Sequence, residues 1–166
     1  MYSEILVPTD GSKAAERAIQ HALDIAQTYG ARIHALYVVD TSIYTSLDAG
    51  ADVVIDALER EGKVATRHVE EAADAAGVDV DTEVVTGTAY RSIHKYIEDH
   101  DIDLVVMGTH GRTGLSHYLL GSVTERVVRT STVPVLTVRL GDEEAEEEAK
   151  ADADAATDET TAETDE

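Results

Sequence analysis

Residues 5–40 read ILVPTDGSKAAERAIQHALDIAQTYGARIHALYVVD, and this stretch decides the fold class. The apolar runs Ile5–Pro8 and Ile33–Val39 predict two buried strands, and the apolar residues between them recur at helical spacing. Ser12 is a residue type that caps helix starts, and Gly30 is the type that ends helices. The stretch therefore predicts a strand, a helix and a second strand in succession.

The rest of the chain continues this alternation. A second helix is predicted from about Asp52 to Ala76, with Gly62 weakening its middle. Further strands are predicted at Val80–Val85, Asp103–Met107 and Val133–Val138, and further helices around residues 90–97 and from Ser122 onward. Strands that alternate with helices favour an α/β fold, in which a mostly parallel sheet is covered by helices on both faces.

The composition suits one domain followed by a tail. Hydrophobic residues make up 43% of the 166 residues, enough for a core, and we expect the domain to span residues 1–140. Residues 141–166 contain 13 acidic residues and one lysine, and they lack large apolar side chains, so we expect a disordered acidic tail. No apolar run approaches the ~20 residues that span a membrane, and no signal peptide is evident, so we expect a cytoplasmic location.

The charge of the chain narrows the classes of function. The formal net charge is -21, of which the tail carries -12 and residues 1–140 carry -9. An acidic body argues against nucleic-acid binding as the main role. Ordinary solvated acidic surface is one explanation. Adaptation to a salty environment is the explanation that we favour, because salt would screen the self-repulsion.

The chemistry is expected at the carboxyl ends of the strands, where ligands bind to open parallel sheets. After the fourth predicted strand the chain has Gly108-Thr109-His110-Gly111, then nine residues, then Gly121-Ser122-Val123-Thr124. Glycines let a backbone approach phosphate oxygens, and the N–H groups at a helix start favour an anion. The hydroxyls of Ser122 and Thr124 can donate further hydrogen bonds, and Arg112 can add positive charge.

Each of these features also has a purely structural explanation. Glycine after a strand is common turn chemistry, and Ser122 with Glu125 forms the S-x-x-E pattern of a capping box, which needs no ligand. Asp10 can simply end a turn, and His110 can be a surface turn residue. The segment is neither a Walker A loop nor a G-x-G-x-x-G loop. The other six histidines show no metal-ligand spacing and are expected at the surface or at core edges.

Taken together, these segments resemble a known family. The pattern G-x2-G-x9-G-S after an apolar strand is similar to the nucleotide signature of the ATP-binding branch of the universal stress protein family. The opening ILVPTDGS and the closing PVLTV resemble the first and last strands of that family. The resemblance covers residues 2–139, and the acidic tail is not part of it.

The resemblance implies an open five-stranded Rossmann-like sheet of order 3-2-1-4-5 and a bound ATP, with Mg²⁺ accompanying the triphosphate. The implied adenine and ribose contacts come from strand ends, at Pro8, Thr9, Asp10, Val39, Met107 and Gly108. The implied phosphate contacts come from the glycine-rich segment, at His110, Gly111, Gly121, Ser122, Val123 and Thr124. The resemblance also implies a homodimer that pairs the last strands, Val133–Val138, antiparallel.

No catalytic set is visible in the sequence. Neither a Ser-His-Asp arrangement nor a positioned general base for a hydrolytic water can be argued from spacing. We therefore expect an ATP-binding regulatory protein with at most slow hydrolysis. Two alternatives stay open at this point: a dimeric interaction module of the same fold without nucleotide, and a true nucleotide hydrolase or transferase.

Overall fold

The computed structural model describes residues 1–41, 51–111 and 120–141. Residues 41–50 are polar and are expected to form a loop. All of this loop except residue 41, together with Arg112 and the predicted tail beyond Gly141, lies outside the described residues.

Within the described ranges the chain forms five strands and four helices that alternate from the first strand to the last. Their bounds are β1 Glu4–Pro8, α1 Lys13–Tyr29, β2 Arg32–Asp40, α2 Ala51–Ala76, β3 Val80–Gly87, α3 Ala89–Asp99, β4 Leu104–Gly108, α4 Ser122–Thr130 and β5 Val135–Val138. All paired strands are parallel, and the order in the sheet is β3-β2-β1-β4-β5. The α/β fold and the strand order are confirmed.

The sheet has an apolar cluster on each face, because alternate residues of each strand point to opposite sides. On one face Ile5 and Val7 of β1 pack with α1 and α2, and on the other face Leu6 packs with α3 and α4. The three central residues of β1 have no exposed surface. Burial on both faces explains the continuous apolar runs in the sequence. Within the described residues no helix is both long and apolar enough to cross a bilayer.

The start of α1 has the predicted side-chain cap, whereas the start of α3 is held by a residue distant in sequence. Ser12 caps α1, since its Oγ accepts a hydrogen bond from the N–H of Ala15 at 3.3 Å, and Gly30 ends the helix at a left-handed φ of 68°. Thr88 precedes α3 but makes no side-chain cap. Asp40 takes part there instead, because its Oδ2 accepts from the N–H of Ala89 at 3.2 Å.

The strand β5 begins later than predicted, at Val135 instead of Val133. Ser131 holds Val133 in a turn: the Ser131 Oγ donates to the carbonyl of Val133 at 2.9 Å and accepts from its N–H at 3.2 Å. This local bonding occupies the backbone groups that would otherwise extend the strand.

His34 joins a buried polar chain at an edge of the core. Its Nε2 lies 2.7 Å from Glu4 Oε2 and its Nδ1 lies 3.1 Å from the Tyr96 hydroxyl oxygen, so the ring links the carboxylate to the phenol. His100 stacks on the Tyr96 ring at 3.8 Å. Burial, with the nearby charges of Glu83 and Asp81, raises the pKa of Tyr96 to about 12, so its hydroxyl keeps its proton even in moderately alkaline solution.

Gly62 is explained by packing. A Cβ placed on it would lie 2.7 Å from the Tyr37 ring of β2 and 3.0 Å from the Val84 side chain of β3. The missing side chain therefore lets α2 approach the sheet closely. Glycine is a poor helix former, but any side chain at this position would collide with the sheet.

This contact predicts that Gly62→Ala lowers the free energy of unfolding, although alanine is the better helix former. The helix gains about 1 kcal/mol in propensity, but overpacking costs about 1–3 kcal/mol, and we expect a net loss of about 1 kcal/mol. Denaturant unfolding measures it. The exposed neighbour Lys63→Ala serves as the control and should change stability by less than about 0.5 kcal/mol. A Gly62→Ala protein more stable than the parent would contradict the packing explanation.

Candidate nucleotide site at the carboxyl edge of the sheet

The candidate site lies where β1 and β4 run side by side. These two strands are parallel neighbours, with Ile5 opposite Leu104, and each continues into a loop at the carboxyl edge. From β1 the sheet grows towards β2 on one side and towards β4 on the other, which makes this position the switch point of the sheet. Ligands bind to open α/β sheets at such points.

The loop after β1 is held by its own hydrogen bonds. The N–H of Thr9 donates to the carbonyl of Leu36 at 2.9 Å, and the Thr9 Oγ1 accepts from Gly11 at 3.2 Å. Asp10 Oδ1 accepts from the N–H of Ser12 at 3.0 Å. Asp10 therefore stabilises the turn that leads into α1, which is the structural role considered for it from the sequence. This role does not prevent its carboxylate from also contacting a ligand.

The loop after β4 touches the loop after β1. A Cβ placed on Gly111 would lie 2.8 Å from Asp10 Oδ2, so the backbone of Gly111 runs beside the carboxylate. At Gly108 a Cβ would lie 2.9 Å from both the carbonyl carbon and the Cβ of Ala14 in the first turn of α1. The two loops converge because β1 and β4 are neighbours, and both glycines are needed for the close approach.

The third glycine of the pattern closes the loop. The N–H of Gly121 donates to the carbonyl of Thr109 at 2.8 Å, and the N–H of Thr109 donates to Val138 of β5 at 2.9 Å. A Cβ on Gly121 would meet the Thr109 carbonyl oxygen at 3.2 Å. Residues on both sides of the nine-residue insertion are thus brought together at the end of the sheet.

The start of α4 corrects the capping-box explanation. Gly121 occupies the N-cap position without a side-chain cap, and Ser122 is the first residue of the helix and is exposed. The Glu125 side chain pairs with Arg129 at 2.6 Å, one turn further along the helix. The hydroxyl of Ser122 is therefore not the side-chain cap of α4. The N–H groups of a first helical turn have no partner within the helix.

Thr124 differs from the expectation that its hydroxyl donates to a ligand. It is buried, and its Oγ1 donates to the carbonyl of Gly108 at 2.9 Å. A hydroxyl has a single proton to donate, so Thr124 ties α4 to the end of β4.

Among the described residues of the predicted site, His110 has a buried side-chain atom without a hydrogen-bond partner. Its Nδ1 lies 2.9 Å from Thr109 Oγ1, while its Nε2 is enclosed and, among the described residues, has no hydrogen-bond partner. A buried polar atom without a partner costs about 1–3 kcal/mol. A polar ligand in the glycine loop would provide the hydrogen-bond partner that this atom lacks.

The remaining predicted site residues differ in accessibility. Val39 and Met107 are 1% and 5% exposed, so they support the cleft from within the core and offer almost no surface to a ligand. Pro8 and Val123 are half-buried. Arg112 lies outside the described residues.

Sequence reasoning missed two residues that build the site. Thr109 connects β5 to Gly121 through its backbone, and Ala14 receives the Gly108 contact. Backbone bonding of this kind leaves no trace in residue type. The small size of Ala14 was a usable signal, but only once Gly108 was known to lie beneath it.

Comparison with known proteins places the chain in a family. The model of the universal stress protein family matches residues 1–139. The chain belongs to the universal stress protein family. A universal stress protein of Methanocaldococcus jannaschii, MJ0531, is 39% identical over 146 residues, covering 87% of this chain and 86% of the relative.

Solved structures of universal stress proteins share the fold. The structure of MJ0577, also from Methanocaldococcus jannaschii, aligns with a TM-score of 0.77 at 33% identity and covers 86% of this chain and 99% of that one. A universal stress protein solved in complex with cAMP aligns with a TM-score of 0.65 at 28% identity, covering 82% of this chain and 97% of that one.

The contact between Gly111 and Asp10 predicts a specific coupling in ligand binding. Gly111→Ala should weaken nucleotide binding, because the new Cβ displaces the Asp10 carboxylate, and should leave stability nearly unchanged, because Gly111 is exposed. In an Asp10→Ala background the same substitution should have little effect. Calorimetric titration of the four proteins with ATP gives the double-mutant cycle. Equal losses in the two backgrounds would show that the loops do not meet as described.

Proposed function

We propose that this universal stress protein is an ATP-binding regulatory protein that holds the nucleotide at the carboxyl ends of β1, β2 and β4. The observation that carries the proposal is the closed glycine loop, in which Gly108, Gly111 and Gly121 each approach another part of the protein where a side chain would collide. Such a backbone cradle at a helix start suits phosphate oxygens.

The phosphate groups are proposed to lie between the loop of Gly108–Gly111 and the start of α4. There the backbone N–H groups of Ser122, Val123 and Thr124 supply donors, together with the exposed Ser122 hydroxyl. The enclosed Nε2 of His110 offers one further polar atom. These residues fit a phosphate group, and Mg²⁺ is proposed to accompany the triphosphate.

The base and ribose are proposed to lie towards Asp10 and the end of β2. The Asp10 carboxylate stands beside the Gly111 backbone, and carboxylates commonly accept hydrogen bonds from ribose hydroxyls. Pro8 and Thr9 would border the same space. Val39 and Met107 would form its floor from inside the core.

Binding without rapid turnover is the mode that the site supports best. Backbone donors and a serine hydroxyl suit phosphate holding, and the titratable side chains beside the glycine loop among the described site residues are His110 and Asp10. The complex of a relative with cAMP supports nucleotide binding at this fold in general. An interaction module without nucleotide and a true hydrolase are the competing functions.

A substitution at Ser122 tests the phosphate site. Ser122→Ala removes one hydrogen bond to a charged group, worth about 1.5 kcal/mol, and should weaken ATP binding about tenfold. Adenosine binding should not change, because adenosine has no phosphate. Isothermal titration measures both ligands, and a steady-state phosphate-release assay measures turnover.

Thr28→Ala serves as the matched control. It removes an exposed hydroxyl, bonded to the Asp24 carbonyl at 2.8 Å, from the opposite end of α1. Unchanged ATP affinity in Ser122→Ala would refute the phosphate site. Absence of ATP binding in the parent protein would favour the interaction module, and turnover at about 1 per second or faster would favour a hydrolase.

We further propose that the protein forms a homodimer through β5. This strand lies at an edge of the sheet, and Leu136 on it is 37% exposed. Val128 on the neighbouring helix α4 is 46% exposed. An unpaired apolar edge strand readily pairs with a second copy, and antiparallel pairing of identical strands gives a two-fold axis.

This interface predicts that Leu136→Glu produces a monomer. Two glutamates beside the two-fold axis would repel each other and lose apolar contact, so the dimer dissociation constant should rise at least about tenfold. Sedimentation equilibrium measures it. Val64→Glu adds the same charge at an exposed valine of α2 and should leave the dimer intact. A Leu136→Glu protein that remains as dimeric as the parent would rule out this interface.

A further inference from the structure

A surface groove lies outside the candidate nucleotide site, along the outer side of α1. Its volume is about 450 Å³, and residues of α1, α2 and the segment after β5 form its walls. The described lining residues are Lys13, Glu16, Arg17, Ile19, Gln20, His68, Ala72 and Leu140.

The groove carries a charge opposite to that of the chain. Lys13 and Arg17 lie one helical turn apart on α1, His68 faces them from α2, and Glu16 is the single acidic residue among the described lining residues. The formal net charge of the whole chain is -21. A net positive lining on so acidic a protein favours an anionic occupant.

The acidic end of the chain begins at this groove. Leu140 is part of the lining, and 25 residues follow Gly141. Six of the seven residues at 142–148 are Asp or Glu. This strongly negative stretch is therefore tethered within a few residues of a groove with a net positive lining.

We propose that residues 142–166 dock into this groove as the anionic segment that binds Lys13, Arg17 and His68. A single exposed ion pair contributes only about 0–1 kcal/mol. The tether compensates, because a short flexible link gives an effective concentration on the order of millimolar. Several weak pairs then hold the segment without requiring it to fold into a fixed structure.

The tail fits the groove better than a free anion does. A small phosphate or carboxylate ligand would use the cations but would leave the apolar part of the lining, Ile19, Ala72 and Leu140, without a role. The tail supplies alanines between its acidic residues, at Ala145 and Ala149. It also has no translational freedom to lose on docking.

The docking makes the surface sensitive to salt. The Debye length falls from about 30 Å at 0.01 M salt to about 3 Å at 1 M, so the segment should be held in dilute salt and released in concentrated salt. The groove begins at Lys13, directly after the Asp10–Ser12 turn. A docked tail would thus place negative charge near the proposed ribose region at Asp10, although the docking itself does not depend on nucleotide.

Paramagnetic relaxation in the full-length protein tests the docking. The chain has no cysteine, so Ala153→Cys gives a single attachment point for a nitroxide label. In about 0.01 M salt the label should selectively reduce amide peak intensity at Lys13–Gln20 and around His68 and Ala72, and in about 1 M salt the loss should disappear. Resonances of α3 should be unaffected in both conditions.

A charge-removing variant and its control make the test specific. Lys13→Gln with Arg17→Gln should abolish the selective loss. Lys63→Gln with Arg67→Gln removes the same charge from exposed positions of α2 outside the described lining and should preserve the loss. The amide spectrum itself shows whether each variant remains folded.

Three outcomes would overturn the proposal. In dilute salt, the label could leave all amides unchanged or affect all faces equally. The two double variants could behave alike. In a mixture of labelled unenriched protein with unlabelled isotope-enriched protein, the loss could persist undiminished, which would assign the groove to the tail of a second copy.

Discussion

The first turn of α1 rests directly on the end of β4, and this approach requires Gly108. A Cβ there would lie 2.9 Å from the Ala14 backbone, so any side chain would push α1 away from the sheet. With α1 in place, the turn at Thr9–Gly11 stands beside the loop that follows β4. The proposed nucleotide cleft exists because these two loops leave neighbouring parallel strands at the same edge.

The same loop fixes the start of α4. The carbonyl of Thr109 accepts a hydrogen bond from the N–H of Gly121, and the hydroxyl of Thr124 donates a hydrogen bond to the carbonyl of Gly108. These bonds hold the helix start against the strand end without a side-chain cap, which leaves Ser122 exposed. A helix start that lacks a side-chain cap and faces a glycine loop is suited to an anion, whereas a capped one has already satisfied a donor.

The fold was predictable because its signals are local. Apolar periodicity located every strand and helix, while the strand order followed from resemblance to the family. The structure departs from the sequence-based interpretation where contacts between residues far apart in the sequence decide the local structure. The S-x-x-E pattern offered a cap at Ser122 as the alternative to a ligand role, because that pattern is local. In the structure Gly121 takes the cap position, and its N–H donates to the carbonyl of Thr109. From the sequence, Gly62 was expected only to weaken the middle of the second helix. Its packing against Tyr37 could not be recognised, because Tyr37 lies 25 positions away in the sequence.

The candidate site was predictable at its glycines and less so at its side chains. The spacing of the glycines can be recognised in the sequence. The hydrogen bond that the Thr124 hydroxyl donates and the burial of Val39 depend on which residues pack around them in the fold. The central claim is that this cleft holds ATP. Its most direct test is the nucleotide content of the purified full-length protein, measured by mass spectrometry after denaturation. We predict released ATP in near-stoichiometric amount, with less from Gly121→Val; protein free of nucleotide that also fails to take up added ATP would contradict the account.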